Sequence, residues 1–355
     1  MVLARTPAQA PAQAGGVRAL SPHPPVTVPI GFVHGMLSGQ GQSGAAVAAA
    51  LDETGIGEAV LRHPAARVTA EQYAALFRSL CQHLDDECIG FLSRPLKRGS
   101  YALMAQSALH GQDLHQAILR AVTTFRILQD DMTLELVEDG ALAGLALRFV
   151  RPGAAGHVFL HQFMLRSLWR LFDWLVGGDL VIVRFDFAFP APPHADGYGE
   201  LFNGPVGFGM PVSAFWVERR QLEAPVRVGE AALANFLTDP QTRFVVPRSS
   251  RGNLSERVLA HLHQTRPAWP DLEATAEVLC MSSASLQRNL AREGTSFQAL
   301  KDRLRRDMAI HYLNTTSLSL AEVGYKLGFS ESAGFQRAFK SWTGTAPGTY
   351  RRGEK

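Results

Sequence analysis

Apolar residues near the C-terminal end recur at helical spacing. Leu320, Val323 and Leu327 fall three and four apart, and Gly328 closes that first predicted helix. Ser330 is the expected cap of a second helix, in which Phe335, Ala338, Phe339 and Trp342 return on one stripe. Roughly opposite stand Ala333, Arg337, Lys340 and Ser341, small or basic side chains that a negatively charged groove accepts. A short helix, a turn with a glycine and a basic second helix predict a helix-turn-helix.

The same pattern occurs twice. Leu272 to Ser282 (LEATAEVLCMS) lies over Leu320 to Ser330, and after one extra residue LQRNL at Leu286 to Leu290 lies over FQRAF at Phe335 to Phe339. Gln287 and Arg288 thus match Gln336 and Arg337. Between the copies, Phe297 to Asn314 repeats Leu300, Leu304, Met308 and Leu313 at near-helical spacing, a rod of about 27 Å at 1.5 Å per residue. Two recognition helices held apart by such a rod suit successive major grooves, one duplex turn of roughly 34 Å apart.

The first two thirds carry other periods. Residues 1–29 are rich in Ala, Pro and Gln and are expected to be disordered. Thr69 to Leu84 opens on a capping-box spacing, Thr69 to Gln72, and puts Tyr73, Leu76, Phe77, Leu80 and Leu84 on one face. Helical patterns follow at Ser100 to His110 and Asp113 to Leu128, then two strands, Met132 to Val137 and Leu142 to Val150, joined through Asp139-Gly140. His157 to Val176 is a long amphipathic helix whose aromatic stripe, Phe163, Trp169, Phe172 and Trp174, could line a ligand pocket but is expected in the core. A strand at Leu180 to Phe189, a short helix at Ala195 to Asn203, a strand at Val212 to Val217 and a helix at Glu230 to Leu237 complete the pattern. The fold class is therefore an α+β domain followed by an all-α domain with two helix-turn-helix motifs joined by a long helix. The expected boundaries are 30–237 and 253–352, with 238–252 as linker.

Charge sharpens this division. From Arg251 onward there are 15 Lys/Arg against 10 Asp/Glu, leaving 20 against 22 for residues 1–250. A basic segment joined to a near-neutral one fits nucleic-acid binding by the former. Cys81, Cys88 and Cys280 have no metal-ligand spacing and read as free thiols in a reducing cytoplasm. The run from His157 to Val183 is interrupted by Arg166, Arg170, Asp173 and Asp179, which argues against a membrane span.

Chemical motifs are few. GQGQSG at Gly39 to Gly44 matches G-x-G-x-x-G but lacks the flanking strands of a dinucleotide site, so no cofactor is expected. His157 and His161 have ligand spacing without a third ligand, so no metal is expected either. Asp85-Asp86-Glu87 and Asp130-Asp131 read as solvated helix caps. No nucleophile motif with supporting context predicts an enzyme.

The phrases LQRNLAREGTSFQAL, AIHYLN and EVGYKLGFSESAGFQRAFKSWTGTAPGTYR resemble the DNA-binding domain of the AraC/XylS family of transcriptional regulators, over about 100 residues from Asn253 to Arg352. Three positions depart from the pattern: Cys280 stands where the second copy has Gly328, and Ala284 and Ala333 stand where larger base-reading side chains are common. Residues 30–224 resemble the "arabinose-binding" N-terminal domain of one AraC subgroup, through LRHPAARVTAEQYAALF, DLHQAILRAVTTFRILQDD and FDFAFPAPPHADGYGELFNGPVGFGMPVSAFWV.

The resemblance implies a cytoplasmic, ligand-responsive regulator, with double-stranded promoter DNA, a small-molecule effector and RNA polymerase as partners, and a homodimer. An effector-independent regulator and an enzyme fused to a DNA-binding domain are the alternatives. Candidate DNA contacts on the first recognition helix are Ser283, Ala284, Ser285, Gln287, Arg288 and Arg292. On the second they are Ser332, Ala333, Gln336, Arg337 and Lys340. Arg forks onto guanine, Gln onto adenine, and Ser or Lys reaches phosphate. For the effector, Lys97 and Arg98 precede a predicted helix start at Gly99-Ser100 and offer a seat for an anion, with Tyr101 beside its hydrocarbon part.

Overall fold

The computed structural model describes residues 24–351 apart from 40, 203 and 239–253. The first elements are β1 (Thr27–Pro29), α1 (Ile30–Met36), α2 (Gly44–Thr54), α3 (Glu58–Leu61), β2 (Arg67–Thr69) and α4 (Ala70–Leu84). Thr69 and Gln72 form the capping box their spacing predicts, each backbone N–H donating to the other's side chain at 3.1 Å. On the predicted face of α4, Leu76, Phe77 and Leu80 are buried.

The expected disordered leader needs correction at its end. Residues 27–29 form β1, which pairs antiparallel with β2 and buries Thr27 and Val28. Three residues are too few for a periodic signal, and their partner strand is remote in sequence. Residues 1–23 of that expected leader lie outside the described residues.

Next come α5 (Ser100–Leu109) and α6 (Leu114–Leu128), the latter capped by Asp113, whose carboxylate accepts the Gln116 N–H at 2.8 Å. β3 (Met132–Asp139) and β4 (Leu142–Phe149) make the expected hairpin, with Gly140 at φ 59°, the left-handed conformation its tight turn needs. They are followed by α7 (Pro152–Ala155), α8 (Val158–Leu175), β5 (Ile182–Phe187), α9 (Tyr198–Leu201), β6 (Val206–Phe208), β7 (Ser213–Glu218) and α10 (Glu230–Thr238). The sheet order is β3-β4-β7-β5-β6, antiparallel except for the short β5–β6 pair, which the sequence pattern did not announce. α8 packs against β4 and β7, and Phe172, Phe185, Phe187 and Phe215 fill the core.

The second half is helical: α11 (Leu254–Gln264), α12 (Leu272–Val278), α13 (Ser283–Arg292), α14 (Phe297–Thr315), α15 (Leu320–Lys326) and α16 (Ser332–Thr343), closed by a 3-10 turn at Pro347–Tyr350. The expected linker begins at Thr238, the last residue of α10, and its residues 239–252 lie outside the described residues. In the first repeat Ser282 caps α13, accepting the Ser285 N–H at 3.2 Å. In the second, Ser330 does not cap. The extra residue there moves the helix start to Ser332, Glu331 takes the cap position, and it makes no side-chain cap bond.

Polar side chains join the two halves. Thr27 Oγ1 donates to Asp307 of α14 at 2.5 Å and accepts from Arg67 Nε at 2.7 Å. The Arg67 backbone N–H donates to the Tyr350 hydroxyl at 3.0 Å, and the Gln72 amide donates to Asn314 of α14 at 3.1 Å. Thr27, Arg67, Gln72 and Asp307 are all buried, so each needs the partner it has.

Candidate nucleic-acid interface and effector cavity

Each recognition helix is anchored by its apolar stripe. Leu286 and Leu290 on α13, and Phe335 and Phe339 on α16, are fully buried. Helical geometry then turns the other face outward: Ala284, Gln287, Arg288 and Arg292 are exposed on α13, as are Ala333, Gln336, Arg337 and Lys340 on α16. Ser283, Ser285 and Ser332 are half-buried in the first turns of these helices. Contacts here are local and weak: Arg288 reaches Ser285 at 3.4 Å, Arg292 reaches Asn289 at 3.5 Å, and Gln336 donates to Ser332 at 3.2 Å. Such side chains are ready to exchange their partners for base edges or phosphates. Between the heads, the 19 residues of α14 span about 28 Å. Both turns are left-handed, Gly328 at φ 79° and Cys280 at φ 56°.

The anion seat proposed by the sequence at the start of α5 is filled by the chain itself. Glu87 accepts the Gly99 and Tyr101 N–H groups, each at 2.7 Å, and Lys97 pairs with Asp85 at 2.8 Å in solvent. Burial raises the Glu87 carboxyl above the usual carboxylate range, opposed by those two N–H bonds. Asp86 also departs from the solvated cap expected of it. It is buried and holds the loop before α5 by accepting the Cys88, Leu96 and Gly90 N–H groups at 2.9, 2.8 and 2.7 Å. Asp131 is buried as well, accepting from the Ser93 hydroxyl at 2.7 Å.

Arg98 and Tyr101 nevertheless line a cavity of about 450 Å³, which Lys97 does not. It opens between α4, α5, α6 and α8, with Phe77, Met104, Phe125, Phe163, Met164 and Leu168 among its walls. Arg78, Glu87 and Arg98 bring charge to it. Its contributions from α4 were not foreseen, and on α8 Phe163, which its spacing favoured for the core over a ligand pocket, is a cavity wall. The available signal was on α8, where Arg166 and Arg170 interrupt an otherwise apolar stripe four residues apart.

The remaining motifs have structural roles. In the glycine-rich loop, the Gly41 N–H donates to Gly90 O at 2.9 Å, and a Cβ on Gly90 would meet the Gly41 carbonyl carbon at 2.8 Å. His161 donates through Nε2 to Ala155 O at 2.9 Å and accepts at Nδ1 from the Ser213 hydroxyl at 2.7 Å. Cys81 and Cys88 are buried free thiols, and Cys280 is an exposed one. Among the described residues no group of three His, Cys, Asp or Glu is placed to hold a metal, and no helix is long and apolar enough to cross a membrane.

Both halves of the chain match known protein families. Residues 44–226 match the family described as the arabinose-binding domain of AraC transcription regulator, N-terminal, and residues 275–353 match a helix-turn-helix domain. The chain is 30% identical over 325 residues to an ornithine utilization regulator of Pseudomonas aeruginosa, covering 91% of this chain and 96% of that one. It is 31% identical over 179 residues to the transcriptional regulator VirS of Mycobacterium tuberculosis, covering 50% of this chain and 52% of that one. Among solved structures, the transcriptional regulator CdpR from Pseudomonas aeruginosa is similar at 21% identity and a TM-score of 0.32, covering 86% of this chain and 96% of that chain.

Proposed function

We propose that this chain, which belongs to the AraC family of DNA-binding transcription regulators, is switched by a small molecule held in the cavity between α4, α5, α6 and α8. One observation carries this reading: α4 serves both sites. Its C-terminal half supplies Phe77, Arg78 and Cys81 to the cavity, while Gln72 in its first turn bonds to α14, the rod between the two DNA-reading heads. A ligand that orders or tilts α4 therefore acts directly on the element that spaces the heads. Residues 30–237 are the sensing unit in this reading and 253–352 the DNA-binding unit.

On the DNA, Gln287, Arg288, Gln336 and Arg337 face base edges, and Ser283, Ser285, Arg292, Ser332 and Lys340 face phosphates. Ala284 and Ala333 allow close approach to the groove floor. The same reading makes RNA polymerase the neighbour at the promoter and a homodimer the working form. The test is a thermal-shift screen of the full chain against small metabolites, followed by operator titration with each hit. The Pseudomonas aeruginosa relative is named for ornithine utilization, so ornithine heads the panel. A ligand that raises the melting temperature and changes operator affinity supports the reading. A ligand that binds the cavity and leaves operator affinity unchanged refutes it.

A further inference from the structure

Beyond the large cavity lies a recess of about 40 Å³, and the two share Phe77, Phe163 and Ser167 as a common wall. The Phe77 and Phe163 rings, 4.7 Å apart between centroids, are in contact and form an aromatic partition between them. Behind it the recess is walled by Phe32, Phe159 and Phe202, yet it also holds the Arg166 guanidinium, on a residue only 7% exposed. That guanidinium lies over the Trp169 and Phe202 rings at 5.7 and 5.6 Å. Its electrostatic neighbours include Arg170, a second cation, and burial lowers its pKa to about 9.

Ser167 supplies a second, independent sign. The residue is 3% exposed, and its hydroxyl has no hydrogen-bond partner among the described residues. Leaving a buried hydroxyl unsatisfied carries the full desolvation penalty of the group, so such a group calls for a ligand or water. A single water occupies about 30 Å³, and a carboxylate head is of similar scale, which suits the recess better than a bulkier anionic group.

Resting on the effector reading above, we propose that the effector is an amphipathic organic carboxylate. Its head parts the Phe77–Phe163 rings to accept hydrogen bonds from Arg166 and Ser167, and its apolar body fills the larger cavity. The anion chemistry anticipated at Lys97 and Arg98 thus moves inward, to a seat where water does not compete for the charge.

The test uses the full chain and three probes of one chain length: octanoate, octan-1-ol and octylphosphonate, measured by calorimetry and thermal shift. Octanoate is expected to bind about 10- to 100-fold more tightly than octan-1-ol, the value of charge-assisted hydrogen bonds to a buried cation. That preference should persist from 50 to 500 mM salt, because a buried pair is screened little. Arg166→Gln should abolish it while octan-1-ol binding stays unchanged, and Ser167→Ala should reduce it several-fold. The wild-type probe series and its salt dependence stand even if Arg166→Gln fails to fold. Equal binding of octanoate and octan-1-ol overturns the inference and leaves the cavity as an effector site. Tighter binding of octylphosphonate overturns the carboxylate assignment, and a preference lost in Arg98→Ala but kept in Arg166→Gln puts the head at the cavity mouth. If no probe binds, the inference fails; a neutral or cationic hit in the metabolite screen then leaves the effector reading standing, and an empty screen removes both.

Discussion

Cys280 occupies the turn of the first motif at φ 56°, where its counterpart Gly328 sits at 79°. A side chain in the left-handed region costs roughly 1–2 kcal/mol, partly offset on replacement by the greater unfolded freedom of glycine. Cys280→Gly is therefore expected to stabilise the chain by about 0.5–1 kcal/mol, read as a higher urea midpoint with unchanged slope. Arg288 is exposed on α13 with one weak contact to Ser285. If it forks onto guanine, Arg288→Ala loses about 1–3 kcal/mol of discrimination between operator and scrambled DNA. An equal loss on both sequences in gel-shift titrations would assign it to phosphate instead. Burial lowers the pKa of His157, His161, His194 and His311 below the ordinary 6.5. The unfolded chain then takes up protons first, so the stability these neutral rings contribute is complete above about pH 6.5 and is lost as pH falls toward their folded values. Melting temperature should drop between pH 7 and 5, less steeply in His161→Gln, and an unchanged slope would exclude His161 as a source.

Among the elements, the two repeats show how one inserted residue changes local chemistry without changing packing. Leu286 and Phe335 end in equivalent buried positions, but Ser282 caps its helix while Ser330, displaced by that residue, does not. α14 acts as more than a spacer, since Asp307 on it accepts from Thr27 of β1 and from Arg306 at 2.9 Å. A hydrogen bond to a charged, buried group contributes about 1.5–3 kcal/mol. A double-mutant cycle of Thr27→Ala and Asp307→Ala, followed by urea unfolding of the full chain, should give a coupling energy of that size. Additive effects would show that the contact joins the halves only geometrically.

At the scale of the whole molecule, charge and burial divide the work. The basic excess after Arg251 makes isolated residues 250–355 a salt-sensitive DNA binder, with log affinity falling linearly in log salt. Salt-insensitive binding, or none at low salt, would contradict this. The paired helix-turn-helix, the rod between its copies, the capping box at Thr69 and the Gly140 hairpin were all legible in the sequence. Each depends on residues a few positions apart, where periodicity and turn chemistry decide the outcome. What tertiary structure alone decided is which remote group completes each local feature. Glu87 takes the helix start offered to an anion, β2 orders the end of the leader, and Phe163 becomes a cavity wall. Asp307 and Tyr350 bind Thr27 and Arg67 across the halves. A helix stripe specifies which side chains are buried, but the free energy of a buried charge or gap depends on the atoms opposite it, and those come from distant parts of the chain.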